Sequence, residues 1–122
     1  MLCFDSDLLI GFLKNEVAAT KFLEKNPGII SIIAAHEVFF GAKTKKEQSI
    51  AEAFLREFNV QPYNWREMAA TVKIQQRLLR RGKPIGKGDE LIAGTCIANN
   101  FTLVTRNKKH FSRIKGLKVK KW

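Results

Sequence analysis

The chain has 122 residues, the size of one small domain, and its 45% hydrophobic content suffices for a core. Twenty-two Lys and Arg against eleven Asp and Glu leave a formal charge of +11, which favours a polyanionic partner: nucleic acid first, an acidic protein second, an anionic membrane third. Composition excludes a membrane span and a disulfide scaffold: no apolar run nears the ~20 residues of a spanning helix, and the cysteines are only Cys3 and Cys96, which read as small buried hydrophobes. Asp5 and Asp7 interrupt an apolar N-terminus that lacks the basic start of a signal peptide, so a cytoplasmic protein folded as one domain over 1–122 is expected.

Leu2 to Phe4 predicts a short buried strand. Leu8, Leu9, Phe12 and Leu13 then recur at helical spacing behind Asp5, with Ser6 or Asp7 available as a cap. A second helix from Val17 to Lys25 ends at Asn26-Pro27-Gly28. Ile29 to Ile33 is β-branched and predicts a second buried strand. Helices are expected from Ala34 to Lys43 and from Lys46 to Phe58, with a short strand over Asn59 to Pro62. A long helix from Trp65 to Arg81 carries Met68, Val72, Gln75, Leu78 and Leu79 on one side and stops at Gly82 and Pro84. Another runs from Asp89 to Asn99, and Phe101 to Thr105 and Leu117 to Val119 are the last strands. Strands alternating with helices imply an α/β fold with a mainly parallel sheet. Active sites in such sheets gather at the carboxyl ends of the strands.

Three carboxylates stand where surface acids are not expected. Asp5 opens the apolar stripe of the first helix, Glu37 has Ala34 before it and Phe40 and Gly41 after it, and Asp89 is followed by Ile92, Ala93 and Cys96. A carboxylate on an inward helix face is costly unless something compensates it. On spacing alone two readings stay open. The acids are caps or first-turn charges favoured by the helix dipole, or they converge and hold a cation. Two like charges ~4 Å apart repel by about 4 kcal/mol at an effective dielectric of about 20, so a converged set spreads, protonates or binds a metal. Oxygen ligands alone suit Mg²⁺ or Mn²⁺ rather than zinc, and such a site under a basic surface describes a phosphodiester hydrolase. Other motifs fail. Gly86-Lys87-Gly88 has the spacing of neither a dinucleotide fingerprint nor a phosphate loop. His36 and His110 lack zinc-site spacing and read as surface or core residues, and nothing around Ser31, His110 and Asp89 supports a nucleophile elbow.

Taken in order, FDSDLLIGFL, AHEVFFGAK and PIGKGDELIAGTCIANNFTLVTRNKKHFSRIKGLKV resemble the PIN-domain family, and within it the VapC-type toxins of bacterial and archaeal toxin–antitoxin pairs. The resemblance spans nearly the whole chain. It implies a three-layer α/β/α sandwich and an Mg²⁺- or Mn²⁺-dependent endoribonuclease, in which water attacks the phosphate in line and leaves a 3′ hydroxyl and a 5′ phosphate. Asp5, Glu37 and Asp89 match the family's first three acids and are the expected metal ligands. Asn107 falls where many members carry a fourth acid, so the catalytic set is one charge poorer. Ser6 matches the hydroxyl residue usual after the first acid. Asp7 stands where Asn is commoner and either turns into the site, restoring that charge, or caps the helix. Ala34 stands where Ser or Thr often precedes the Glu by three residues, so a capping box is expected to be missing there. Thr105 ends its strand beside the site and either positions substrate or water or bonds to backbone.

Arg80, Arg81, Lys83 and Lys87 near Asp89, and Arg106, Lys108 and Lys109 around Asn107, are the expected RNA-binding cations. The resemblance also suggests a cognate antitoxin and a second copy of the chain, for which Phe39, Phe40, Phe54, Leu55 and Phe58 offer surface. A housekeeping RNA-processing nuclease without antitoxin, and a non-catalytic RNA-binding module, are the alternative functions.

Overall fold

A computed structural model describes all residues, Met1–Trp122. In chain order the elements are β1 (Leu2–Phe4), α1 (Ser6–Leu13), α2 (Val17–Lys25), β2 (Ile29–Ser31), α3 (Ile32–Gly41), α4 (Lys45–Leu55), β3 (Val60–Gln61), α5 (Trp65–Arg80), α6 (Lys87–Ala98), β4 (Thr102–Val104), α7 (Lys108–Phe111) and β5 (Lys118–Lys120). The strands form one wholly parallel sheet in the order β3-β2-β1-β4-β5. The chain winds outward from β1 through β2 to β3, then returns to the other side of β1 to lay down β4 and β5. The winding reverses between β1 and β4, and a crevice outside their carboxyl ends is where such sheets bind ligands.

Two neighbours on β1 display the layers, because successive strand side chains face opposite ways. The Phe4 ring meets Phe22 of α2 at 6.3 Å and Phe58 at 6.0 Å. Cys3 faces the other layer, toward Cys96 on α6; a thiol–thiol hydrogen-bonding interaction with Cys3, followed by burial, pushes the Cys96 thiol well above its ordinary value. Both cysteines are free and buried, as expected. No helix is long and apolar enough to cross a membrane.

Several boundaries differ from expectation for local reasons. β2 stops at Ser31 rather than Ile33 because the Ser31 hydroxyl accepts the Ala34 N–H at 3.0 Å and starts α3 at Ile32. Ser31 thus supplies a simple cap, while the reciprocal capping box is absent as expected, because Ala34 at the third helical position has no side chain to bond back. α4 opens on Thr44, whose hydroxyl accepts from the Glu47 N–H at 3.1 Å, and ends at Leu55, short of Phe58. α6 starts at Lys87 rather than Asp89, so Asp89 lies within its first turn instead of at its first residue. The single-turn helix α7 lies where the sequence predicts no helix.

The long helix α5 buries a stripe other than the one its apolar residues suggest. Glu67, Thr71, Ile74 and Leu78 face inward, while Val72 is 41% and Leu79 70% exposed. The neighbouring helix sets this rotation. A Cβ on Gly94 of α6 would meet Thr71 Oγ1 at 1.9 Å and Thr71 Cα at 2.8 Å, so the two helices touch at that point. The buried Glu67 accepts from the Asn64 backbone N–H at 2.9 Å and from Asn99 at 2.8 Å. Burial penalises its charge, but these bonds outweigh that penalty and hold the carboxyl below its ordinary value. Gly94→Ala is expected to cost about 1–3 kcal/mol by overpacking. The loss should appear as a lower urea midpoint at an unchanged slope. An unshifted midpoint would mean that α5 and α6 are not held at this distance.

Candidate active site

Asp5 is the residue at which β1 ends and α1 begins. Its N–H donates to the Val104 carbonyl of β4 at 2.9 Å, which ties it to the crevice. Its Oδ1 accepts from the Ser6 N–H at 2.8 Å and its Oδ2 from the Thr105 hydroxyl at 2.7 Å. The residue is only 5% exposed. Burial, then the nearby charge of Asp7, push its carboxyl up to about 7 against the pull of those hydrogen bonds.

Asp7 does not cap α1; Asp5 takes that position. Instead Asp7 Oδ2 accepts from the Thr105 hydroxyl at 3.1 Å and the Arg106 N–H at 2.9 Å, and Oδ1 accepts from Trp122 Nε1 at 3.0 Å. The Thr105 hydroxyl thus lies between two carboxylates with one proton to give, and it accepts from the Asn107 N–H at 3.1 Å. A fourth carboxylate beside Asp5 therefore comes from Asp7. Asn107 is exposed at the start of α7 and its side chain does not cap that helix.

On α6, Asp89 Oδ2 lies 3.0 Å from His110 Nε2, and the same nitrogen lies 2.9 Å from the Ile85 carbonyl. A carbonyl only accepts, so Nε2 carries the proton and shares it with both oxygens. Burial raises the Asp89 carboxyl, with His110 pulling it back. His110 is accordingly neither a free surface residue nor a core residue, and the one sequence signal for it is the HF pair within the resemblance. Glu90 is a second residue that sequence reasoning missed. Its carboxylate accepts from the Ile85 N–H at 3.3 Å and from Gln75 at 3.2 Å. Ile85 is held from both sides, which fixes the loop ahead of Asp89.

Glu37 reaches in from α3. Its Oε1 is buried without any hydrogen-bond partner, and its Oε2 would lie 2.8 Å from a Cβ at Gly88, so a bare backbone makes room for it. Burial raises its carboxyl, Ser6 lowers it and Asp89 raises it further. The charge of Asp89 acts on both Asp5 and Glu37. No three His, Cys, Asp or Glu side chains converge closely enough to coordinate one ion in this conformation. The donor chemistry nonetheless fits a hard divalent cation: three oxygen donors with raised pKa values, one oxygen left buried and unpaired, and a histidine whose inward nitrogen is already protonated.

The expected cations divide into two groups. Arg106 pairs with Glu16 at 2.9 Å and lies 4.0 Å over the Trp122 ring, so it braces the Asp7 corner instead of standing free for RNA. Arg80, Arg81, Lys83, Lys87, Lys108 and Lys109 are exposed and form no ion pair.

The PIN domain pattern matches residues 2–117. The chain belongs to the PIN-domain family. Within that family it is similar to ribonuclease VapC1 of Methanocaldococcus jannaschii, at 33% identity over 94% of this chain and 83% of that protein. It is also similar to the tRNA(fMet)-specific endonuclease VapC of Shigella flexneri, at 27% identity over 97% of this chain and 95% of that protein. Among solved structures, DNA-bound VapBC from Salmonella typhimurium superposes with a TM-score of 0.90 at 25% identity, covering 99% of this chain and 97% of that one. VapBC2 from Rickettsia felis, bound to a DNA fragment from its promoter, gives 0.88 at 29% identity, covering 99% and 98%. The PIN fold accounts for the crevice: β1 ends in Asp5 and β4 in Thr105, while α3 and α6 deliver Glu37 and Asp89.

Proposed function

We infer that this PIN domain is an endoribonuclease and the toxin of a toxin–antitoxin pair. The observation that carries the reading is the trio Asp5, Glu37 and Asp89, each raised by burial, on a chain of net charge +11. Similarity to VapC ribonucleases over nearly the full length supports RNA as the substrate. Similarity to VapBC complexes supports an antitoxin partner. Free buried cysteines fit a reducing cytoplasm.

Asp5, Glu37 and Asp89 are the residues that would hold Mg²⁺ or Mn²⁺. When bound, the ion supplies neutralisation of phosphoryl charge and acidifies an attacking water. The chain's own residues prepare the site. Ser6 and Thr105 fix both oxygens of Asp5. His110 fixes Asp89 through its Nε2 proton. Asp7 keeps a fourth negative charge beside Asp5, and Asn107 stands at the rim to orient water or substrate. Lys83, Lys87, Lys108 and Lys109 hold phosphates of the strand. Hydrolysis breaks the P–O3′ bond and leaves a 3′ hydroxyl and a 5′ phosphate. Purified protein should cut RNA with Mn²⁺ or Mg²⁺ and stop on addition of chelator. Binding without cleavage under either ion would replace the nuclease by a non-catalytic RNA-binding module.

A homodimer is part of this proposal, with a changed surface. Phe54, Leu55 and Phe58 are not available to it, since Phe54 stacks on Phe12 at 4.7 Å, Phe58 packs edge-on at 5.2 Å and Leu55 is buried. Phe39 and Phe40 are exposed, and Trp65, Val72 and Leu79 form a second exposed stripe at seven-residue spacing along α5. An unpartnered apolar stripe of this kind marks an interface. Phe40→Glu with Leu79→Glu is expected to give a monomer by light scattering where the native chain is a dimer. A monomeric native chain would remove the dimer.

A further inference from the structure

We propose that the groove between α5, α6 and the α7–β5 connection is a second RNA site, which grips the substrate backbone beyond the cleavage point. The proposal rests on the endoribonuclease reading above. The groove encloses about 450 Å³ and is lined by five cations, Arg66, Lys73, Arg77, Arg113 and Lys115, over a floor that includes Ile74, Ile97 and Ile114; no Asp or Glu lines it. None of the five forms one of the protein's three ion pairs with Lys, Arg or His. Arg66 is braced on the Ala98 carbonyl.

The cations form a rail. Lys73 and Arg77 are four residues apart on one helix, a rise of about 6 Å, and Arg66 lies about 10 Å further down the same helix. That step is comparable to the separation of successive backbone phosphates. The upper end shares Leu78 and Arg113 with a second depression, lined also by Arg81 and Lys83. Lys83 lies in the loop that Glu90 and His110 hold ahead of Asp89 through Ile85. The rail therefore continues toward the carboxylates. A run of cations without ion pairs that reaches the loop ahead of Asp89 suits a polyanionic strand better than an acidic peptide. The floor is aliphatic, with no aromatic ring on which a base could stack, so the grip is on backbone and independent of sequence.

The test is the triple variant Lys73→Gln, Arg77→Gln, Arg113→Gln, compared with the charge-keeping Lys73→Arg, Arg77→Lys, Arg113→Lys. Binding of a full-length tRNA and of a short oligonucleotide spanning only the acid site is measured by fluorescence anisotropy in chelator, across a salt series. The Gln variant should bind the tRNA about tenfold or more weakly, with a salt slope shallower by about 2, since each lost phosphate contact removes about 0.7. The charge-keeping variant should match the native chain, and the short oligonucleotide should lose far less. Unchanged tRNA affinity and slope, or an equal loss for the oligonucleotide, overturns the proposal. So does a Gln variant that keeps tRNA affinity but loses binding to a labelled poly-glutamate peptide, which assigns the groove to an acidic protein. Cleavage by the native chain in Mn²⁺ is read separately. No cleavage with a groove-dependent slope sinks the nuclease and leaves the RNA site standing; cleavage with a groove-independent slope does the reverse.

Discussion

Asp5→Asn is expected to lower RNA cleavage by about a thousandfold or more, the scale on which loss of a key electrostatic group acts, and to leave a protein at least as stable as the native chain above pH 7. The two effects have one cause. Asp5 is held where its charge is disfavoured, with a carboxyl pushed up to about 7 by burial and by Asp7. Above that pH the carboxyl is ionised in both the folded and the unfolded chain, and folding works against the charge. The neutral amide removes that penalty, which is on the order of a few kcal/mol at most. The cap survives, because Asn accepts the Ser6 N–H as Asp does, and the Thr105 proton can turn to Asp7. A ligand residue is thus separated from a merely structural one. A structural Asp5 would lose stability and activity together. Activity within a few fold of native, or a fall in stability at pH 8, would sink the assignment.

Local spacing placed Asp5 directly after a strand, Glu37 within a helix and Asp89 beside an apolar stripe, and the alternation of elements implied the parallel sheet. Spacing left capping and cation binding both open for these acids; the order of the family-like segments joined them into one candidate set. What was hidden depends on distant partners. Asp7 looks like a cap because its position in α1 suits one, but its partners Thr105, Arg106 and Trp122 lie 98, 99 and 115 residues away. His110 gains its role from Asp89, 21 residues earlier, and from a backbone carbonyl that no motif encodes. The rotation of α5 is decided by Gly94 on another helix, so Glu67 and Thr71 go inside while Val72 and Leu79 stay out. Ser31 was concealed by the β-branched run around it, which reads as strand until its hydroxyl is seen to cap α3.

Affinity for Mn²⁺ or Mg²⁺ is expected to fall about tenfold for each pH unit below about 7, because one bound proton must leave for each ion taken up. Asp5 titrates at about 7 in the folded chain against an ordinary 3.8. Between those values the folded protein keeps a proton that the unfolded chain has released. The stability this confers on the metal-free protein is fully present below 3.8 and is lost as pH rises through 7. Glu37 and Asp89 are raised in the same direction and steepen both trends. A divalent cation replaces the proton as the compensating charge, so it should raise the melting temperature strongly at about pH 8 and hardly at about pH 5. Calorimetric titration in two buffers of different ionisation enthalpy reads the proton release directly. An affinity that is flat from about pH 5.5 to about pH 8, with no proton released, would place the ion away from Asp5. The buried, unpaired Oε1 of Glu37 would then need another explanation.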